Sequence, residues 1–268
     1  MPASLRCLTP RLACFATLLC TTALLVGGCQ SRPNPPPSAA ELAAADLFTR
    51  HTQTILMRDM AHANVRNLPG VVRLKIRLAA DNSTTGCDLQ PVDRVRDASL
   101  LLAANRTGKS ASSAALRRVV LDQCWKSVYP LVPPALRQAD GTVEIVAPLV
   151  MLPANWTAAD NASARTRGAL HTFVRQRVLV GERVDSIGQA SLLYRTDAQG
   201  TVEGCVVNLT PLAARPDAFR PDADLQARLA RRCTGLDLSQ VPDLARDDDG
   251  RIAGTVQLDY APWSVGRP

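Results

Sequence analysis

The sequence predicts an α+β protein built from two tandem copies of one unit, each running helix, β-hairpin, helix, strand. Recurring intervals are the first observation. Leu74 to Cys87 and Leu192 to Cys205 are both 13 residues (87 − 74 and 205 − 192). Cys124 to Gly141 and Cys233 to Gly250 are both 17, and Gly141 to Pro153 and Gly250 to Pro262 are both 12. The second observation is strict alternation in 71–78, where Val72, Leu74, Ile76 and Leu78 share one face and Arg73, Lys75 and Arg77 the other. The third is a Trp near the end of each copy, Trp156 and Trp263. Intervals matched this way indicate an internal duplication. The one large length difference lies between the cysteines of each copy, 124 − 87 = 37 against 233 − 205 = 28, which leaves nine extra residues in the first copy's loop.

The elements follow in order. Ser38-Ala39-Ala40-Glu41 reads as a capping box, opening an Ala- and Leu-rich helix to about Asn64. Asn67-Leu68-Pro69-Gly70 stops it. The strand 71–78 is followed by a turn at Asp81-Asn82 and a second strand through Gly86-Cys87-Asp88-Leu89. A long loop spans about 90–113, with a short helix expected at 99–104. Residues 114–128 form a helix carrying Leu116, Val119, Val120 and Cys124 on one side, and Pro130, Pro133 and Pro134 end it. A last strand covers 142–152. In the second copy the expected order is a helix from Thr166 to about Val184, strands at 189–196 and 201–208, a helix at 224–233 and a strand at 251–260.

The chain has 268 residues, 46% hydrophobic and 21% charged, enough to bury a core. The net charge is +7, yet the basic residues are interspersed, and aromatics are only 4%. A nucleic-acid partner is therefore not expected. Arg6 and Arg11 precede an apolar stretch, 12–26, and then Gly27-Gly28-Cys29, the layout of a secretory signal. Val26-Gly27-Gly28-Cys29 resembles the lipobox of bacterial lipoproteins, which implies cleavage before Cys29 and lipid on that residue. Gln30, in place of an Asp, implies the outer membrane in that resemblance. The alternative is an uncleaved inner-membrane anchor. Cleavage would leave 8 − 3 − 1 = 4 unmodified cysteines, Cys87, Cys124, Cys205 and Cys233. An even number in an exported chain reads as disulfides, against four reduced thiols in a cytoplasmic one. Four cysteines allow three connectivities. The duplication favours pairing within a copy, Cys87 with Cys124 and Cys205 with Cys233.

The helix–strand–strand–helix–strand unit resembles the C-terminal domain of the TonB family. The likeness is carried by Leu192-Leu193-Tyr194-Arg195-Thr196-Asp197-Ala198-Gln199-Gly200-Thr201-Val202-Glu203-Gly204-Cys205. It is also carried by Tyr129-Pro130-Leu131-Val132-Pro133-Pro134 ahead of Gly141 and the strand Val143–Val150, and by Pro242 and Asp249-Gly250-Arg251-Ile252 in the second copy. The chain departs from the energy-transducing members in three ways. Residues 1–28 contain no His, the Pro-rich tether is short, and there are two copies where one is usual. The expected organisation is a signal peptide 1–28, a Pro-rich tether 29–37, a first TonB-C-like domain 38–156 and a second 157–268. The resemblance implies capture of short partner peptides by strand addition at a sheet edge. The candidate edge is the last strand of each copy, with Val143, Ile145 and Val146 in the first and Ile252, Thr255 and Val256 in the second. Pro148 suits an edge better than a central strand. The function expected is that of a periplasm-facing envelope lipoprotein binding an envelope protein or peptide. The alternative is an energy transducer supporting outer-membrane transport.

No catalytic constellation, cofactor site or metal site is expected. Gly108-Lys109-Ser110 lacks the earlier Gly of a phosphate loop, since position 103 is Ala103. Asp247-Asp248-Asp249-Gly250 lacks the alternating ligands and closing Glu of a calcium loop and reads as a solvated turn. Only His51, His62 and His171 are present, and His51 and His62 lie ~16 Å apart along one helix, too far to share a metal. No Gly-x-Ser-x-Gly elbow occurs. Trp156 and Trp263 are expected to be packing anchors.

Overall fold

The structure, a computed structural model, describes residues 37–92, 113–152 and 155–266. Cys29, the tether up to Pro36, the expected short helix at 99–104 and Gly108-Lys109-Ser110 lie outside the described residues. The fold is α+β, with two three-stranded antiparallel sheets and helices on them.

Ser38 begins α1 (Ala39–Ala63) by a reciprocal cap. Its Oγ accepts from the Glu41 N–H at 3.2 Å, and the Glu41 carboxylate accepts from the Ser38 N–H at 2.7 Å. Phe48, Ile55, Leu56 and Met60 recur at helical spacing and face the core. The first copy continues with β1 (Gly70–Leu78), β2 (Thr84–Gln90), α2 (Ala114–Lys126) and β3 (Val143–Met151). The second has α3 (Ala158–Val174), prolonged by a π turn at Arg175–Leu179, then β4 (Gly188–Thr196), β5 (Val202–Thr210), α4 (Ala223–Cys233) and β6 (Ala253–Tyr260).

In each copy the first strand of the hairpin is central, in the orders β2-β1-β3 and β5-β4-β6. The last strand is thus an edge strand in both. The duplication extends to register. Ile76 lies opposite Cys87 as Tyr194 lies opposite Cys205, and the hairpins are irregular at matching places, Arg77/Leu78 and Arg195/Thr196. Leu74, Ile76 and Leu78 are wholly buried, as are Ala190 and Leu192 in the second copy. Each core is closed by a disulfide from the hairpin's second strand to the following helix, Cys87–Cys124 and Cys205–Cys233. This is the pairing the repeat favoured.

Three boundaries differ from expectation. The first helix of the second copy starts at Ala158 and not at Thr166. Thr157 caps it, its Oγ1 accepting from the Asp160 N–H at 3.1 Å while the Asp160 carboxylate accepts from the Thr157 N–H at 3.0 Å. The reciprocal cap holds Asn161 and Ser163 in helix despite their modest propensity. The helix also stops earlier, at Leu179, where the π turn gives way to extended Val180. In addition, Arg251 and Ile252 precede β6.

The two copies belong to one compact unit beginning at Pro37. They meet through helices and through one strand end. A side chain at Gly168 of α3 would place its Cβ 2.1 Å from Val65 Cγ1, so the missing Cβ is what lets the helix approach the end of α1. Arg58 of α1 reaches Asp259 of β6, Nη2 to Oδ2 3.2 Å. Val128 of the first copy packs with Ile187, Leu212 and Ala261 of the second, with Trp263 alongside, so Trp263 is a packing anchor as expected.

Candidate binding edges

Backbone groups of a strand alternate between its two sides, so an edge strand offers every second residue to an incoming chain. In the second copy the phase is fixed by one bond. The Thr196 N–H donates to the Ile252 carbonyl at 2.8 Å. With Ile252 bonded inward, Gly254, Val256, Leu258 and Tyr260 direct their N–H and C=O toward β4, opposite Tyr194, Leu192, Ala190 and Gly188. Ala253, Thr255, Gln257 and Asp259 direct theirs away from the sheet. The Asp259 carbonyl bears this out, because it accepts from buried Arg175, Nη1 to O 3.0 Å. Among the described residues, no hydrogen bond engages the main chain of Ala253, Thr255 or Gln257.

Side-chain face and lateral direction are locked together in a strand of L-residues, which transfers the phase to the first copy. Val143, Leu149 and Met151 are buried toward the core like Val256, Leu258 and Tyr260. They and Ile145 therefore bond inward to β1. Glu144, Val146, Pro148 and Val150 face outward. Pro148, which has no N–H, then leaves the β1–β3 ladder intact.

Of the residues singled out from sequence, Val146 and Thr255 thus present their main chains outward. Val143, Ile145 and Val256 do not, because their polar groups are turned to the central strand. Ile252 lies before β6, and its N–H donates to Thr196 Oγ1 at 2.8 Å. The residues missed were Glu144, Val150, Ala253 and Gln257. The available signal was the alternation itself: the apolar residues of each last strand mark the inward phase, and their neighbours the outward one.

The side chains beside the two edges differ. On the outer face of the second sheet, Val206, Leu193 and Thr255 stand in one cross-strand row. Leu193 and Val206 are 55% and 58% exposed, large values for apolar residues. The equivalent row of the first sheet is Asp88, Lys75 and Val146. There Lys75 Nζ pairs with Glu144 Oε2 at 2.5 Å and Arg77 Nη2 with Asp88 Oδ2 at 3.1 Å.

The acidic run discounted as a calcium loop forms a turn. Asp247 Oδ1 accepts from the Asp249 and Arg251 N–H groups at 3.0 and 2.8 Å, so the acidic run is a turn whose first carboxylate is committed to the backbone. Among the described residues there is no group of three or more His, Cys, Asp or Glu able to hold a metal, and no helix long and apolar enough to cross a membrane. No family model matches the chain, and neither a curated protein nor a solved structure matches it.

Proposed function

We propose that this chain is an envelope-anchored protein-interaction module, periplasm-facing and held to the outer membrane through lipid on Cys29, that captures an extended segment of an envelope protein by strand addition. One observation carries the capture mode: the last strand is an edge strand with outward backbone groups that no described residue engages, at Thr255 and its neighbours. Two disulfides within the unit support an oxidising compartment. The lipobox-like Val26-Gly27-Gly28-Cys29 supports the anchor. The reading includes no catalytic step and no cofactor.

Two measurements test it. Cells fed labelled palmitate should label the protein, and Cys29→Ser should abolish labelling. An unprocessed chain retaining 1–28 in the inner membrane would favour the transducer alternative. For capture, peptides selected on the full chain from a random display library should lose binding when N-methylated at alternate backbone positions and keep it when methylated at the intervening ones. Indifference to methylation at every position would remove strand addition as the mode.

A further inference from the structure

Granted strand addition as the mode of capture, we infer that the two copies have diverged into one closed edge and one receiving edge. Of the two last strands, β6 and not β3 takes a partner strand, and it favours a segment with a β-branched or apolar residue opposite Thr255.

The duplication supplies its own comparison. Gly141 and Gly250 align the last strands at an offset of 109 (250 − 141), which makes Pro148 equivalent to Gln257 and Glu144 equivalent to Ala253. Both pairs are outward positions. Sheets protect their edges with proline, which cannot donate to a new ladder, and with charge, which is costly to desolvate under an added strand. The first copy has both devices in its outward set, with Pro148 at mid-strand and Glu144 tied to Lys75 at 2.5 Å. The second copy has neither in the stretch Ala253–Gln257. Its outward positions are a small residue, a β-branched one and a neutral amide, all exposed.

The neighbouring face extends the contrast. A strand added to β6 would set the side chain opposite Thr255 on the outer face, continuing the row Val206–Leu193–Thr255 by one place. That row is apolar where its counterpart is Asp88–Lys75–Val146. A β-branched or apolar residue at that place would pack on the Thr255 side chain and lengthen the row. The edge is short, since Arg175 occupies the Asp259 carbonyl. Five residues are too few for a stable self-pairing, given that a standard interface uses about 20–30 residues a side. They suit one extended peptide.

The test moves the first copy's own device to the equivalent site. Gln257→Pro transplants Pro148 to a position where this fold already tolerates proline. A display library of random twelve-residue peptides is selected on the full chain, and affinities are compared after circular dichroism has established native folding. Gln257→Pro should weaken the selected peptides by more than about tenfold, the loss of a ladder hydrogen bond plus local strand distortion. Thr255→Lys should weaken them too and shift the selected residue opposite position 255 from apolar to acidic. Val146→Pro should change binding less than twofold. Loss on Val146→Pro with none on Gln257→Pro would overturn the assignment to β6 and leave strand addition standing. No effect from either proline, or no peptide selected at all, would remove strand addition itself. Self-association that Gln257→Pro abolishes would make a second copy the occupant and overturn the proposal of a foreign segment.

Discussion

Arg137 and Arg246 bridge the same two turns in the two copies. Arg137 Nη1 donates to the carbonyls of Ala79 and Gly141 at 3.3 and 2.8 Å, and Arg246 Nη1 to those of Ala198 and Gly250 at 2.9 and 2.6 Å. Each arginine ties the hairpin turn to the turn that launches the last strand. It therefore sets where the edge strand enters the sheet. The two turns themselves repeat, with the Gly141 N–H on the Gln138 carbonyl and the Gly250 N–H on that of Asp247.

This pairing yields a prediction. Arg137 is half-buried and also donates to Asn82 Oδ1, whose residue is wholly buried, while Arg246 is exposed. Arg137→Ala should cost about 1–3 kcal/mol in urea unfolding, and Arg246→Ala less than about 1 kcal/mol. Lysine should restore neither fully, because its point charge lacks the guanidinium's rigid fork. Equal costs at the two sites would contradict the burial argument.

The arginines also mark how far the sequence was legible. The spacing of Cys and Gly was enough to align the copies, because each disulfide and each positive-φ turn glycine tolerates no drift: Gly141 and Gly250 sit at φ 80° and 77°. Arg137 and Arg246 lie at the same offset of 109 but were invisible among 31 basic residues, since nothing local distinguishes a bolt from a solvated charge. The start of α3 was readable from Thr157 and Asp160 and was hidden by the weak helix formers after it. Alternation gave the core faces of the strands. The same alternation marked the outward phase, which the bond from the Thr196 N–H to the Ile252 carbonyl fixes in the structure.

The disulfides close loops of similar size, with sequence separations of 37 and 28. The logarithmic dependence on loop length makes the two nearly equal, ~3–4 kcal/mol each. Replacing Cys205 and Cys233 together by Ser should lower stability by about that amount, as should the Cys87 and Cys124 pair. Non-reducing peptide mapping should recover Cys87–Cys124 and Cys205–Cys233. A bridge crossing between copies would refute the assigned pairing.

Asp59 supplies a pH dependence. Burial raises its carboxyl above the ordinary Asp range, opposed by the Ser127 hydroxyl donating to Oδ2 at 2.6 Å and by the adjacent Arg58. A raised carboxyl binds its proton more tightly in the folded state than in the unfolded one. Its contribution is thus fully present below the unfolded value and is lost as pH rises through the folded value. Stability of the wild type minus that of Asp59→Asn should fall as pH rises from about 4, the unfolded value, toward neutrality. Urea titrations across that range check it. A difference that stayed flat or grew with pH would show that ion pairing, and not burial, governs this carboxyl.

The contact between Gly168 and Val65 tests how the copies are joined. Alanine is the better helix former by about 1 kcal/mol, so on propensity alone Gly168→Ala should stabilise α3. The packing argues the opposite sign. A Cβ there meets Val65 Cγ1 at 2.1 Å and Val65 Cβ at 3.1 Å, so the helix must move or the valine must turn away. Overpacking of this kind costs typically ~1–3 kcal/mol, which outweighs the propensity gain. Gly168→Ala should therefore destabilise. Val65→Ala makes room by removing two methyls, so the double variant should be more stable than Gly168→Ala alone, with a coupling energy of about 1 kcal/mol or more in the cycle. Simple additivity of the two changes would mean that α3 does not rest on the end of α1, and that the copies are joined mainly through Val128 and its neighbours.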